Sequence, residues 1–145
     1  MLLNSLFSFM GTLSFAILFN IKGKKLFLAA LGGGISWFFY LLFLYFDSSH
    51  LESLFFAAII GGIFSEVMAR LLKTPVTTFV ICTIIPLVPG SGMYYTMLEI
   101  IQGNVNNSLS MGFETIANAG AIAVGLVFVS SVAKLLNYIN SRKAI

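Results

Sequence analysis

The sequence is short of the side chains that most enzyme chemistry needs. It holds one cysteine, one histidine and one aspartate in 145 residues. With Cys82 alone, no intrachain disulfide can form, and the apolar run around it marks a small buried hydrophobe. A zinc site takes three or four His, Cys or carboxylate ligands, which one His and one Cys in different regions do not supply. An aspartyl intramembrane protease would need two aspartates, and Asp47 stands alone between apolar runs. A serine–histidine pair would depend on His50, in the same polar stretch. A non-enzymatic protein without metal or cofactor is expected.

Charge is equally scarce. Only 9% of the residues are charged and 59% are hydrophobic, and the mean hydropathy is +1.00. A soluble domain of this length needs a polar shell that this composition cannot furnish. The expected class is an all-α integral membrane protein, one transmembrane domain over residues 1–145. The net charge of +3 does not point to nucleic acid. The basic residues cluster at the ends of apolar runs, where topology accounts for them.

Five apolar runs follow in order, at about residues 2–20, 27–46, 53–72, 76–101 and 109–133. The first has no side-chain charge ahead of it and a cluster, Lys22, Lys24 and Lys25, behind it. That is the reverse of a signal peptide, so a retained span is expected. In the second, Gly32-Gly33-Gly34 lacks the Lys-Ser/Thr of a phosphate loop, and close helix packing is expected instead. In the third, Ala57, Gly61, Ser65 and Ala69 recur every four residues, a small-residue face for helix contact. Glu66 and Arg70 follow at i, i+4 in the favoured order, either as a structural ion pair or as a coupling element. Ala117, Ala121 and Gly125 form another small-residue ladder in the fifth run, where Glu114 and Asn118 share a face.

With five spans, all eight basic residues fall on one side: Lys22, Lys24, Lys25, Arg70, Lys73, Lys134, Arg142 and Lys143. Asp47, His50, Glu52 and Glu99 fall on the other. The positive-inside rule then gives an N-out, C-in protein.

Two of the three prolines sit in the fourth run, in Pro86-Leu87-Val88-Pro89-Gly90-Ser91-Gly92-Met93-Tyr94-Tyr95. Neither proline has an N–H to donate, so a regular helix cannot continue through them. Bare backbone in a bilayer is tolerated where it is packed in protein or lines a wet cavity. Pro86 lies ten residues beyond Val76, or about 15 Å at ~1.5 Å per residue, half of a ~30 Å hydrocarbon core. Broken helices at that depth form substrate sites in several transporters. Freed carbonyls suit an ammonium group, and the start of the second half-helix suits a carboxylate. Pro89 is placed to open that half-helix, with Ser91, Tyr94 and Tyr95 adding hydroxyls. Glu114 is an ionisable residue within a span and so a further functional candidate. A kink that only aids packing is the alternative for the break.

The stretches Phe64-Ser65-Glu66-Val67-Met68-Ala69-Arg70, Thr74-Pro75-Val76-Thr77 and Ile84-Ile85-Pro86-Leu87-Val88-Pro89-Gly90, with Tyr94, resemble the threonine/serine exporter family. More narrowly, the chain resembles the small-subunit form, equivalent to the C-terminal membrane half of the fused exporters. Many members carry a further Pro-Gly pair where Cys82-Thr83 stands here, which implies a shorter break. The resemblance implies export of small hydrophilic amino acids, threonine or serine, or related small carboxylates. It also implies a larger membrane subunit that completes an inverted repeat, in the cytoplasmic (inner) membrane. By carry-over it singles out Glu66, Arg70, Pro86, Pro89, Gly90, Tyr94 and, more loosely, Asn118. A scaffold subunit that never meets substrate and a passive channel are the competing expectations.

Overall fold

A computed structural model describes residues 1–143, and all regular structure among them is helical. The helices are α1 (Leu2–Leu18), α2 (Lys24–Tyr45), α3 (His50–Leu71), α4 (Thr77–Ile84), α5 (Gly90–Ile101) and α6 (Val105–Lys143), with a 3-10 turn at Ile85–Leu87. Helices α2, α3 and α6 are each long and apolar enough to cross a membrane. Helices α4 and α5 together pass the same test as a pair bent by 53°. Helix α1, at 17 residues, lies at the short end of the ~17–25 residues of a spanning helix.

Four helices stop by the same backbone device. After α1, α2, α3 and α5 a single residue turns left-handed: Asn20, Asp47, Lys73 and Gly103. Each time the next residue's N–H reaches back to the helix, as in Ile21 to the Ala16 carbonyl (3.0 Å) and Asn104 to the Glu99 carbonyl (2.9 Å). This Schellman closure satisfies carbonyls that the helix end leaves open.

The start of α3 differs from its expected position. Ser49, not Ser53, precedes the first turn. Its hydroxyl accepts from the Glu52 N–H (3.3 Å), and Glu52 accepts from the Ser49 N–H (3.1 Å). This capping box moves His50 out of the connecting stretch and onto α3. Ser49→Ala is expected to cost about 1 kcal/mol, read as a lower midpoint of thermal unfolding in detergent.

The last helix also departs from expectation. Residues 105–108, ahead of the fifth apolar run, and the polar tail behind it belong to one 39-residue helix, about 58 Å long at ~1.5 Å per residue. Low hydropathy marks where a bilayer ends, not where a helix does. Asn106 and Asn107 sit in a first turn whose N–H groups need no helical acceptor. Arg142 lies 4.9 Å from the Tyr138 ring one turn back, a cation–π contact.

Helix α2 is the hub, packing on α1, α3 and α4. A side chain at Gly32 would strike Thr83 of α4 and Phe64 of α3, and one at Gly33 would strike Thr12 of α1. The triple glycine therefore seats neighbours on two sides of α2. Ala57, Gly61, Ser65 and Ala69 are all buried on α3. Gly125 brings α6 within 2.9 Å of the Phe55 carbonyl for an added Cβ. Cys82 and Thr83 are helical and buried, so the break begins after them, and Thr83 Oγ1 pairs with Ser65 Oγ at 3.1 Å. Helix α4 packs on α2 and α3, while α5 packs on α6.

Candidate functional site

The break arises where backbone donors run out. The 3-10 turn carries Pro86, and Val88 closes it by donating to the Ile84 and Ile85 carbonyls (3.1 and 3.4 Å). Val88 is then extended (ψ 129°), as a residue before proline prefers. Pro89 becomes the N-cap of α5, one position earlier than the first-turn place expected for it. Gly90 N–H turns back to the Val88 carbonyl at 2.8 Å. The next two amides, those of Ser91 and Gly92, have no acceptor among the described residues. They face outward from the positive end of a 12-residue helix.

The bend opens a cavity of about 380 Å³ between α2, α3, the 3-10 turn, α5 and α6, within the ~300–1,000 Å³ of small-molecule sites. Pro86, Pro89, Ser91, Tyr95, Glu114 and Asn118 all line it. Helices α5 and α6 run antiparallel along one wall. Gly92 abuts Thr115, and Gly112 lies against Thr96, with 3.4 Å left for an added Cβ. Glu114 and Asn118 are one turn apart on the same wall. Asn118 is 7% exposed, and its amide has no hydrogen-bond partner among the described residues. Its polar atoms are not sealed from solvent, unlike Thr12 Oγ1, so the amide is open to a polar ligand or water in the cavity. Glu114 is exposed and forms no ion pair among the described residues. The lining includes no lysine or arginine.

Residues 4–132 match the model of the family described as Threonine/Serine exporter, ThrE. The chain belongs to this family. No curated protein and no solved structure matches it. Threonine/serine exporter family membership makes the chain a membrane protein of the exporter type, and the family is one of exporters rather than of enzymes.

Against that identity, the remaining residues singled out by the exporter-like motifs divide. Gly90 and Tyr94 are exposed and lie outside the cavity lining. Tyr94 is 100° around α5 from Tyr95 and packs edge-on to it at 5.3 Å. Glu66 and Arg70 form an ion pair at 3.6 Å in a separate apolar groove between α3 and α6. Arg70 also donates to the Ala133 carbonyl at 3.4 Å, tying the two helices.

Three lining residues carried no signal as site residues. Trp37 and Tyr40 lie within the second apolar run, which forms α2, and His50 lies in the polar stretch after it. The Ser49-x-x-Glu52 spacing was the sign that α3 begins early enough to carry His50. Tyr40 is 6% exposed, and its hydroxyl lies 3.0 Å from His50 Nδ1.

Proposed function

We propose that the chain is the smaller membrane subunit of a secondary exporter for threonine, serine or related small molecules, and that the cavity beside the broken helix holds the substrate. The observation that carries this reading is convergence. The free amides come from α5, and the Glu114 carboxylate and the unpartnered Asn118 amide come from α6, to one small cavity. A zwitterionic amino acid would place its carboxylate at the Ser91 and Gly92 amides. Its ammonium would face Glu114, and Asn118 would bond the side-chain hydroxyl or a backbone group. A carboxylate without an ammonium would meet Glu114 with no cationic lysine or arginine to offset it, which favours amino acids.

We further propose five crossings, with α1 as the first and α4–α5 as one broken crossing, N-terminus outside, in the cytoplasmic membrane. The one-sided distribution of the basic residues supports that orientation. A larger membrane subunit of the same family would supply the inverted half. Helix α5 has no buried residue, so its outer face is open to such a partner or to lipid.

The test is export of labelled threonine from loaded cells that carry the chain and its partner. Glu114→Gln is expected to lower export at least about tenfold, as loss of one charge-assisted contact of ~1.5–3 kcal/mol implies, with membrane abundance unchanged. Asn118→Ala should raise the internal threonine concentration needed for half-maximal export. Normal export by both variants would support a scaffold role. Export that never runs uphill and ignores the proton gradient would support a channel.

A further inference from the structure

The cavity has one feature that the exporter motifs do not include. His50 is the single histidine of the chain and the one lining side chain able to carry positive charge. It stands in the first turn of α3, on the cavity, and Tyr40 holds it. The Tyr40 hydroxyl is 3.0 Å from Nδ1 and 3.4 Å from Nε2, so Nδ1 is the nearer partner. The two rings meet edge-on at 5.5 Å, and Tyr40 is braced in turn by Trp37 at 4.9 Å.

We propose that His50 is a substrate-facing, proton-linked residue of this cavity and that Tyr40 is its positioning residue. The inference rests on the reading of the cavity as an amino-acid site. The argument is one of charge balance. A zwitterion entering beside Glu114 satisfies that carboxylate with its ammonium and then needs a positive counterpart for its own carboxylate. The α5 amides offer partial charge, and His50 is the lining group that can offer a full one. Tyr40 suits both charge states of the imidazole. Its hydroxyl can donate to Nδ1 of the neutral ring and accept from Nδ1–H of the imidazolium, which a carboxylate partner would not do evenly.

Substrate binding would then take up a proton at His50. Its affinity would fall as pH rises, by up to about tenfold per pH unit. The other titratable groups facing this region are Tyr40 on α2, Tyr95 on α5 and Glu114 on α6. On and just before α3, the Glu52 carboxylate accepts the Ser49 N–H, and Asp47 precedes it in the turn.

The test uses the full chain in its complex, purified with imidazole-labelled histidine, so that His50 gives this chain's imidazole signal once its partner's histidines are left unlabelled. Equilibrium binding of labelled L-threonine is measured between about pH 5 and pH 8, with the imidazole signal followed alongside. The expected result is a threonine-dependent shift of the His50 signal and binding that weakens as pH rises. His50→Gln should flatten that pH profile. Tyr40→Phe, which keeps the ring against Trp37, should diminish the signal shift while binding persists. Threonine bound equally at every pH, a His50 signal that threonine leaves unmoved, or a pH profile retained by His50→Gln would overturn the inference and leave the amino-acid site standing. No threonine binding by the unaltered complex would overturn the amino-acid site and the inference with it.

Discussion

Replacing Gly32 by valine is expected to leave little folded protein in the membrane. An added Cβ at this position meets Thr83 Cγ2 and comes within 2.9 Å of Phe64 Cε1. Overpacking of this kind costs about 1–3 kcal/mol and occasionally more. Relief is obstructed, because Thr83 Oγ1 donates to the Val80 carbonyl at 2.9 Å and pairs with Ser65 Oγ at 3.1 Å. Moving Thr83 loses contacts worth about 1 kcal/mol each. The total is a large share of the ~5–15 kcal/mol that holds a typical protein folded. The measurement is membrane abundance together with thermal unfolding in detergent. Gly11→Ala is the control, since nothing lies within 4 Å of an added Cβ there. Gly32→Ala should be partly restored by Thr83→Ser, which removes the struck methyl and keeps the hydroxyl. Wild-type abundance of Gly32→Val would defeat the account of α2 as the hub.

The same glycines show what a sequence of this kind discloses. Gly32-Gly33-Gly34 and the Ala57–Gly61–Ser65–Ala69 ladder were legible because close backbone approach admits few residue types. The break was legible because Pro86 and Pro89 remove donors wherever they stand. The cavity was legible only in part. Pro86, Pro89 and Ser91 belong to the break itself, Glu114 was singled out because an ionisable group in a span needs a reason, and Asn118 was indicated only loosely, through the family resemblance. Which tyrosine faced inward was not legible, since it depends on the rotation of α5 about its axis. Tyr94 and Tyr95 are chemically alike, and the packing of α5 on α6, with Gly92 against Thr115 and Thr96 against Gly112, fixes that rotation.

Tyr40 and His50 escaped for a different reason. Hydropathy tells where a chain leaves the bilayer, and His50 lies in the first polar stretch after α2. A local cap carries the helix into that stretch, so the residue joins the cavity although its surroundings are polar. The long α6 shows the same limit at its two ends. There, asparagines and basic residues extend a helix beyond the apolar run that announced it.

Gly92→Ala is expected to disable the cavity while sparing the rest of the fold. The added methyl would strike Thr115 Oγ1, and Thr115 Cβ and Cγ2 stand at 3.4 Å. Thr115 is anchored by donating to the Met111 carbonyl at 2.7 Å, so its hydroxyl cannot swing away without losing that bond. The cheaper response is for α5 to move. Helix α5 packs chiefly on α6 and buries none of its residues, so little else holds it. A shift of α5 carries the Ser91 and Gly92 amides away from Glu114 and Asn118, which belong to the opposite helix. Overpacking here costs about 1–3 kcal/mol, enough to displace α5 but not to unfold α2, α3 and α4, which pack mainly on one another and on α1 and α6. Threonine export should therefore fall at least about tenfold, since ~1.4 kcal/mol is a factor of ten, at nearly normal abundance. Adding Thr115→Ala removes the struck hydroxyl and should restore most of the activity, whereas Thr115→Ala alone should change export little. Coupling of that sign between two residues on facing helices is measured by a double-mutant cycle. If the second substitution fails to rescue the first, the position of α5 against α6 is not what sets the cavity.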